Sequence, residues 1–169
     1  MCIKIGVVFP KKYNKSNIVG LLAEYNFSFS PINNVYVLSQ LSEEYEFLEA
    51  TESSCECYSG IGSFELYTKD NEELLAQLED ETLAEIMRKE DIQKKQQFKE
   101  DAQKWEKFIT KLVIDYNVEK FGLLMHFYNE SIHNEKFKIL DKTFIRFDEV
   151  NTEYIMKMKP DIIYYFKQA

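Results

Sequence analysis

Residues 98–116 read Phe98-Lys99-Glu100-Asp101-Ala102-Gln103-Lys104-Trp105-Glu106-Lys107-Phe108-Ile109-Thr110-Lys111-Leu112-Val113-Ile114-Asp115-Tyr116. Phe98, Ala102, Trp105, Ile109, Leu112 and Tyr116 recur at alternating steps of four and three, which lays them along one stripe of an α-helix. Phe108 and Val113 widen the stripe to a face. Lys99, Glu100, Lys104, Lys107 and Lys111 fall elsewhere, and Glu100 precedes Lys104 by four, the favourable order for a helical ion pair. The spacing predicts helix over 95–116.

Upstream, Asp70 and Glu73 have capping-box spacing, with Leu74, Leu75 and Leu78 behind them. Thr82 and Glu85 repeat the signature ahead of Leu83, Ile86 and Met87, which suggests a break near 79–81. Between Met87 and Phe98 the only large apolar residue is Ile92, about 140° off the stripe. A straight helix over 70–116 would be about 70 Å long. A compact domain of this length has a radius of gyration of roughly 15 Å. A central helical hairpin over about 70–116, turning near 90–95, is therefore expected. The other reading is a projecting arm that grips a second subunit or another protein.

Both flanks read as extended. In 2–9, Ile3, Ile5, Val7 and Phe9 alternate with Cys2, Lys4, Gly6 and Val8. Residues 121–128 are apolar on both faces, as in an interior strand. Strands are also expected at 26–30, 34–39, 64–68 and 161–166, with a hairpin of 137–140 and 143–147 around Asp141-Lys142. Short helices are expected at 18–25 and 153–158. The fold class that follows is α+β: one domain, 1–169, whose mixed or antiparallel sheet draws on both ends of the chain.

The 169 residues suffice for one real core. Hydrophobic residues are 45% and aromatics 15%, which excludes a disordered chain. Five glycines and three prolines argue against a turn-rich all-β fold. No apolar run approaches the ~20 residues of a membrane span. The first residues lack the length and cleavage site of a signal peptide, so the expected compartment is the cytoplasm, without membrane association.

Net charge is −8, and its distribution is uneven. Residues 16–68 hold eight acids and no lysine or arginine, whereas residues 1–15 hold four lysines. Duplex nucleic acid is an unsuitable ligand for the acidic half, because phosphate binding needs clustered cations. A cationic protein would be steered toward it. Glu43, Glu44, Glu46, Glu72, Glu73, Glu79, Asp80 and Glu81 are the candidate contacts. Several of them also suit helix starts, where the dipole favours acids.

Three cysteines, Cys2, Cys55 and Cys57, together with His126, would supply four zinc ligands. The Cys-x-Cys spacing is not that of a common zinc module, and no other cofactor is expected. Cys2, exposed by removal of Met1, would also be placed as an N-terminal nucleophile with its own amino group as base. Pairing of Cys55 or Cys57 with His126 or His133 is a further catalytic possibility. The plainer reading is reduced thiols and a satisfied core histidine.

Met1-Cys2 before a strand, and Cys55-Glu56-Cys57-Tyr58-Ser59-Gly60 after Val35-Tyr36-Val37-Leu38, resemble an uncharacterised group of small bacterial proteins. These carry an N-terminal Met-Cys strand, a Cys-x-Cys-Gly loop, a helical middle and a closing β region. Here Tyr58 and Ser59 stand before Gly60, where that group has glycine directly after the second cysteine. The resemblance implies no activity. It adds interest to Cys2, Cys55 and Cys57 as a cluster.

The expected function is a non-enzymatic acidic binding protein, an inhibitor or immunity-type factor for a cationic protein partner, in the bacterial or phage cytoplasm. The alternative is a cysteine-dependent site, metal-binding or hydrolytic, around Cys2, Cys55 and Cys57. A homodimer through the helical segment is the third reading.

Overall fold

Strand β1, Cys2–Pro10, holds the centre of the sheet because its alternation puts apolar side chains on both faces. A computed structural model describes residues 2–50, 56–69, 75–77 and 81–168. After β1 come a 3₁₀ turn, Lys15–Ile18, helix α1, Val19–Glu24, and the two-residue strand β2, Ser30–Pro31. Helix α2, Val35–Leu38, strand β3, Tyr45–Glu49, and helix α3, Phe64–Thr68, follow. The long helix α4 is Glu81–Ile114. Strand β4, Lys120–Tyr128, strand β5, Asp141–Arg146, helix α5, Thr152–Met156, and strand β6, Ile162–Lys167, complete the chain.

The sheet order is β2-β3-β1-β4-β6-β5. β1 pairs antiparallel with both β3 and β4, β4 pairs antiparallel with β6, and β5 pairs parallel with β6. The sheet is thus mixed and draws on both ends of the chain, in an α+β arrangement. Its first face carries Ile5, Val7, Phe9, Phe121, Leu123, Met125 and Phe166 into one core. Its second face carries Val8, Leu124, Tyr128, Ile163 and Tyr165 into another. Gly6 belongs to the second face, and a Cβ there would meet the Phe47 ring at 2.1 Å.

The stripe read from the sequence is what α4 buries. Ala102, Trp105, Phe108, Ile109, Leu112 and Val113 all lie inside the first core, and Phe98 is buried one turn before them. The Phe27 ring stacks on Trp105 at 4.2 Å, and Phe108 stands edge-on to Phe27 at 4.9 Å.

The hairpin expected to turn near 90–95 is corrected, because α4 runs unbroken through that stretch. No glycine or proline interrupts it, and ion pairs Glu85–Lys89 at 2.8 Å and Asp91–Lys95 at 2.9 Å brace successive turns. Its 34 residues span about 51 Å. Residues 85–97 are exposed or half-exposed throughout, and Ile92 is 66% exposed. The expected break near 79–81 falls beside the first residue of α4, and residues 70–74 and 78–80 lie outside the described residues.

Four extended segments are corrected too, and of 26–30 only Ser30 is strand. Residues 64–68 are helical, and 34–39 hold α2. Residues 137–140 form no strand, so there is no hairpin with 143–147. β5 pairs instead in parallel with β6. The change at 34–39 has a local cause. Asn34 is fully buried, and its Oδ1 accepts from the backbone N–H groups of Tyr36 and Val37, at 3.0 and 3.1 Å. That caps a helix start. Its Nδ2 donates to the carbonyls of Ile132 and Glu135, both at 2.9 Å. All four bonds of the amide are made, and α2 is stitched to the 131–139 segment that covers the second core.

Asn34→Ala removes the cap and strands two carbonyls. The expected destabilisation is about 2–4 kcal/mol, read by urea unfolding of the full chain.

Candidate functional site

The charged side chains that fold inward gather at one end of the sheet. β1 begins there, β3 and β4 finish there, and the turn before β6 enters from the side. Lys4 of β1 makes an ion pair with Glu49 of β3 and stands opposite His126 of β4 in the strand register. The backbone N–H of Glu56 donates to the Ile3 carbonyl at 2.9 Å, so the segment beginning at Glu56 joins the same end.

His126 is 8% exposed. Its Nδ1 is hydrogen-bonded to Asp161 Oδ1, and Phe137 stacks on its ring at 3.7 Å. Its Nε2 lies 3.6 Å from Glu135 Oε1 and makes no hydrogen bond. Asp161 adopts φ of 62°, a left-handed conformation uncommon outside glycine. Two backbone bonds hold it there: its N–H donates to Met125 O at 2.9 Å, and its carbonyl accepts from Leu140 N–H at 2.7 Å. The Glu135 carboxylate accepts the N–H groups of Glu130 and Asn129, at 2.9 and 2.8 Å. Those bonds, with His126 beside it, hold its carboxyl below the usual range. Burial pushes the Tyr128 phenol up, and Glu135 and Asp161 push in the same direction.

Behind β1, Asp101 of α4 anchors the loop that follows Cys57. Its Oδ2 accepts from Ser59 Oγ at 3.0 Å and from Gly60 N–H at 2.8 Å. Gly60 allows this close seat: a Cβ there would lie 2.3 Å from Phe98 O and Ala102 N of the helix backbone. Lys104 Nζ is 3.9 Å from Asp101 Oδ1. Burial pushes the Glu56 carboxyl up, and Asp101 adds to the push while Lys4 and Lys104 oppose it. Glu56 Oε1 is buried without a hydrogen-bond partner.

Cys57 is exposed and disulfide-bonded. The expectation of reduced thiols does not hold for it. As a disulfide sulfur it offers no thiolate to a metal or a substrate. Cys2 lies in β1 by its backbone, its side chain falls outside the described residues, and so does Cys55. Among the described residues no group of three or more His, Cys, Asp or Glu is arranged to hold a metal ion. His133 sits on an exposed loop, with its N–H 3.3 Å from Ser131 Oγ.

The acidic candidates separate. Glu43 and Glu44 are exposed, Glu46 is half-buried and paired with Lys15 at 2.8 Å, and Glu81 is exposed at the start of α4. Lys11 donates to the Glu43 carbonyl at 2.8 Å. Glu72, Glu73, Glu79 and Asp80 lie outside the described residues. Lys4 and Lys15 therefore fold back onto Glu49 and Glu46, while Lys12 pairs with Glu119, so the two charge blocks of the sequence become partly mixed on the surface.

Sequence reasoning missed Asp161, Glu135, Glu56 and Asp101. Only Asp161 carried a local signal, since it follows Pro160 in a turn that must reverse the chain into β6. Among the described residues no helix is long and apolar enough to cross a membrane. Searches of family models, curated proteins and solved structures find no match to this chain.

Two carboxyls at this end give opposite pH effects. The folded-state pKa of Glu135 is lowered, so its stabilisation is present above the unfolded value and lost as pH falls through the folded one. Glu135→Gln is expected to lower Tm at pH 7 by on the order of 3 °C, with the difference closing below about pH 4. The folded-state pKa of Glu56 is raised, so its contribution is fully present below the unfolded value and lost as pH rises through the folded one. Glu56→Gln is expected to raise Tm at pH 7 by on the order of 2 °C and to leave it unchanged near pH 4. Thermal melts across pH check both signs.

Proposed function

We propose that this chain is a non-enzymatic binding protein, an inhibitor or immunity-type factor that engages a cationic protein in the bacterial or phage cytoplasm. The observation that carries the reading is the first half of α4. Over residues 85–97 no side chain is buried, although the helix continues unbroken from the core. A helix in a globular domain usually exists to bury a face. This half presents Ile86 and Ile92 to solvent, 48% and 66% exposed, and Leu83 just before it is 45% exposed. Exposed Glu81, Glu85 and Glu90 lie on this half of the helix, and exposed Glu43 and Glu44, at the other end of β1 by the pairing of Pro10 with Tyr45, supply a separate acidic contact. A polar rim around apolar anchors is the usual anatomy of a protein interface.

Against an enzyme, His126 is nine-tenths buried under Phe137, with its Nδ1 committed to Asp161. That is the setting of a structural pin between β4 and the turn before β6.

The test uses the tagged full chain to capture protein from bacterial lysate, beside the Glu43→Lys/Glu44→Lys variant. The expected captured species is basic, is released by added salt, and binds the double variant at least about tenfold more weakly. Capture that ignores both salt and charge reversal would overturn the reading. A second copy docking through α4 is checked by light scattering, where dimerisation replaces a foreign partner.

A second reading, the cysteine-dependent site, is favoured by topology. The Glu56–Ile3 backbone bond puts the residue next to Cys57 beside the start of β1, at the end of the sheet where His126 lies. Zinc binding or thiol hydrolysis there would require Cys57 to be reduced first.

A further inference from the structure

We propose that the pocket where β1 ends and β4 begins binds a phosphoryl anion, either free phosphate or the phosphate of a small phosphomonoester. The proposal goes beyond the partner-binding reading and does not rest on it. The pocket lies at the opposite end of β4 from His126. The register sets Pro10, the last residue of β1, against Tyr45, the first of β3, and Val8 against Gly122 near the start of β4. Lys11 and Lys12 follow Pro10 directly, and Lys120 opens β4. Three lysines from two distant segments thus meet in one pocket of about 300 Å³, the size of a small-ligand site.

Lys120 is held more firmly than a surface lysine. Its Nζ stands over three rings, 5.1 Å from the centroid of Tyr45, 5.4 Å from that of Tyr165 and 5.9 Å from that of Phe144. The rings brace one another, with Tyr165 5.7 Å from Tyr45 and stacked on Phe144 at 5.2 Å. Gly122 leaves Tyr165 its place, since a Cβ there would lie 3.2 Å from that ring. Ring faces attract an ammonium and fix its position, but they supply no oxygen to its N–H groups. Among the described residues the Lys120 Nζ makes no hydrogen bond and no ion pair. A half-buried ammonium held in place without an acceptor is a charge positioned in advance for a ligand.

The rest of the lining sets the charge. Lys12 pairs with Glu119 at 2.5 Å, and the two cancel. Lys11 Nζ donates to the Glu43 carbonyl at 2.8 Å, a neutral acceptor that steadies the side chain and leaves its charge intact. Glu44 is the remaining acid, so three lysines against two glutamates leave the lining net positive. Lys167 stands opposite Lys120 in the β4–β6 register and adds to that field. The lining holds no arginine among the described residues. Arginine grips planar carboxylates with its fork, whereas lysines act as point charges and suit a tetrahedral, multiply charged oxyanion. Pro10 and Tyr45 add an apolar wall for the group that carries the phosphate.

The test follows the backbone amide resonances of the full chain during titration with sodium phosphate, beside sodium chloride at matched ionic strength. Saturable shifts are expected at Lys11, Lys12, Tyr45 and Lys120, with a Kd on the order of 1 mM. Lys120→Met keeps the stem over the rings and removes the charge. It is expected to weaken binding about tenfold with an unchanged circular dichroism spectrum. Phe144→Leu, at an exposed ring, is expected to weaken binding about threefold by loosening the cage, and Phe144→Tyr to restore it. Glu44→Gln is expected to tighten phosphate binding about threefold while weakening capture of a basic protein, so the two readings move in opposite directions. Tighter binding of phenyl phosphate than of inorganic phosphate assigns the pocket to phosphomonoesters, and the reverse order assigns it to free phosphate. Shifts that chloride reproduces would overturn the proposal. So would phosphate binding that Lys120→Met leaves unchanged. If that variant fails to fold, Lys11→Gln, at an exposed side chain, carries the same comparison with an expected loss of about threefold.

Discussion

The structure depends on β1 being hydrogen-bonded along both edges. Its partner on one side, β3, is close in sequence, but on the other side it pairs with β4, from Cys2 opposite Tyr128 to Val8 opposite Gly122. Closing a loop of that length has an entropic cost that only the completed pairing offsets. Everything between the two strands, α4 included, is therefore organised by a contact between residues more than a hundred positions apart. The apolar character of β1 on both faces makes the central position favourable. With Val7 and Phe9 in one core and Val8 in the other, an edge placement would leave one set wet.

The same pairing redistributes charge. Lys4 reaches Glu49 because β1 and β3 run antiparallel, and Lys15, in the 3₁₀ turn after β1, reaches back to Glu46. A sequence that separates four lysines from eight acids thus folds into a surface where two lysines of one block meet two acids of the other. Block charge in a sequence describes a surface only where the blocks do not become strand partners. Among the exposed acids that remain, Glu43 and Glu44 sit just before β3, beyond the reach of its ladder. This is why the acidic reading narrows from a region to a few side chains.

What could be read in advance follows from the range of each cause. The buried face of α4 was legible because helical periodicity is local and seven core residues repeat it. The unbroken course of α4 was not, because the argument for a turn assumed that every helix stays within the radius of a compact domain. Helix α2 was misread as a strand. Four apolar residues fit either period, and the deciding residue, Asn34, earns its place through carbonyls about a hundred positions away. His126 was visible as a histidine in an apolar strand. Its partners Asp161 and Glu135 were not, since each comes from a different connection and neither has a motif.

Helix α4 also joins the exposed face to the loop after Cys57. Its buried half carries Asp101, which seats the loop after Cys57, and Phe98 and Ala102, whose backbone leaves room only for glycine at position 60. Its other half stands clear of the core at residues 85–97. Both halves belong to one unbroken helix, so the course of the exposed half is set by the packing of the buried half. The Asp101 clamp lies on the turn of α4 just past Phe98, where the exposed half meets the core. The exposed face and the loop that follows Cys57 are thus carried by one helix.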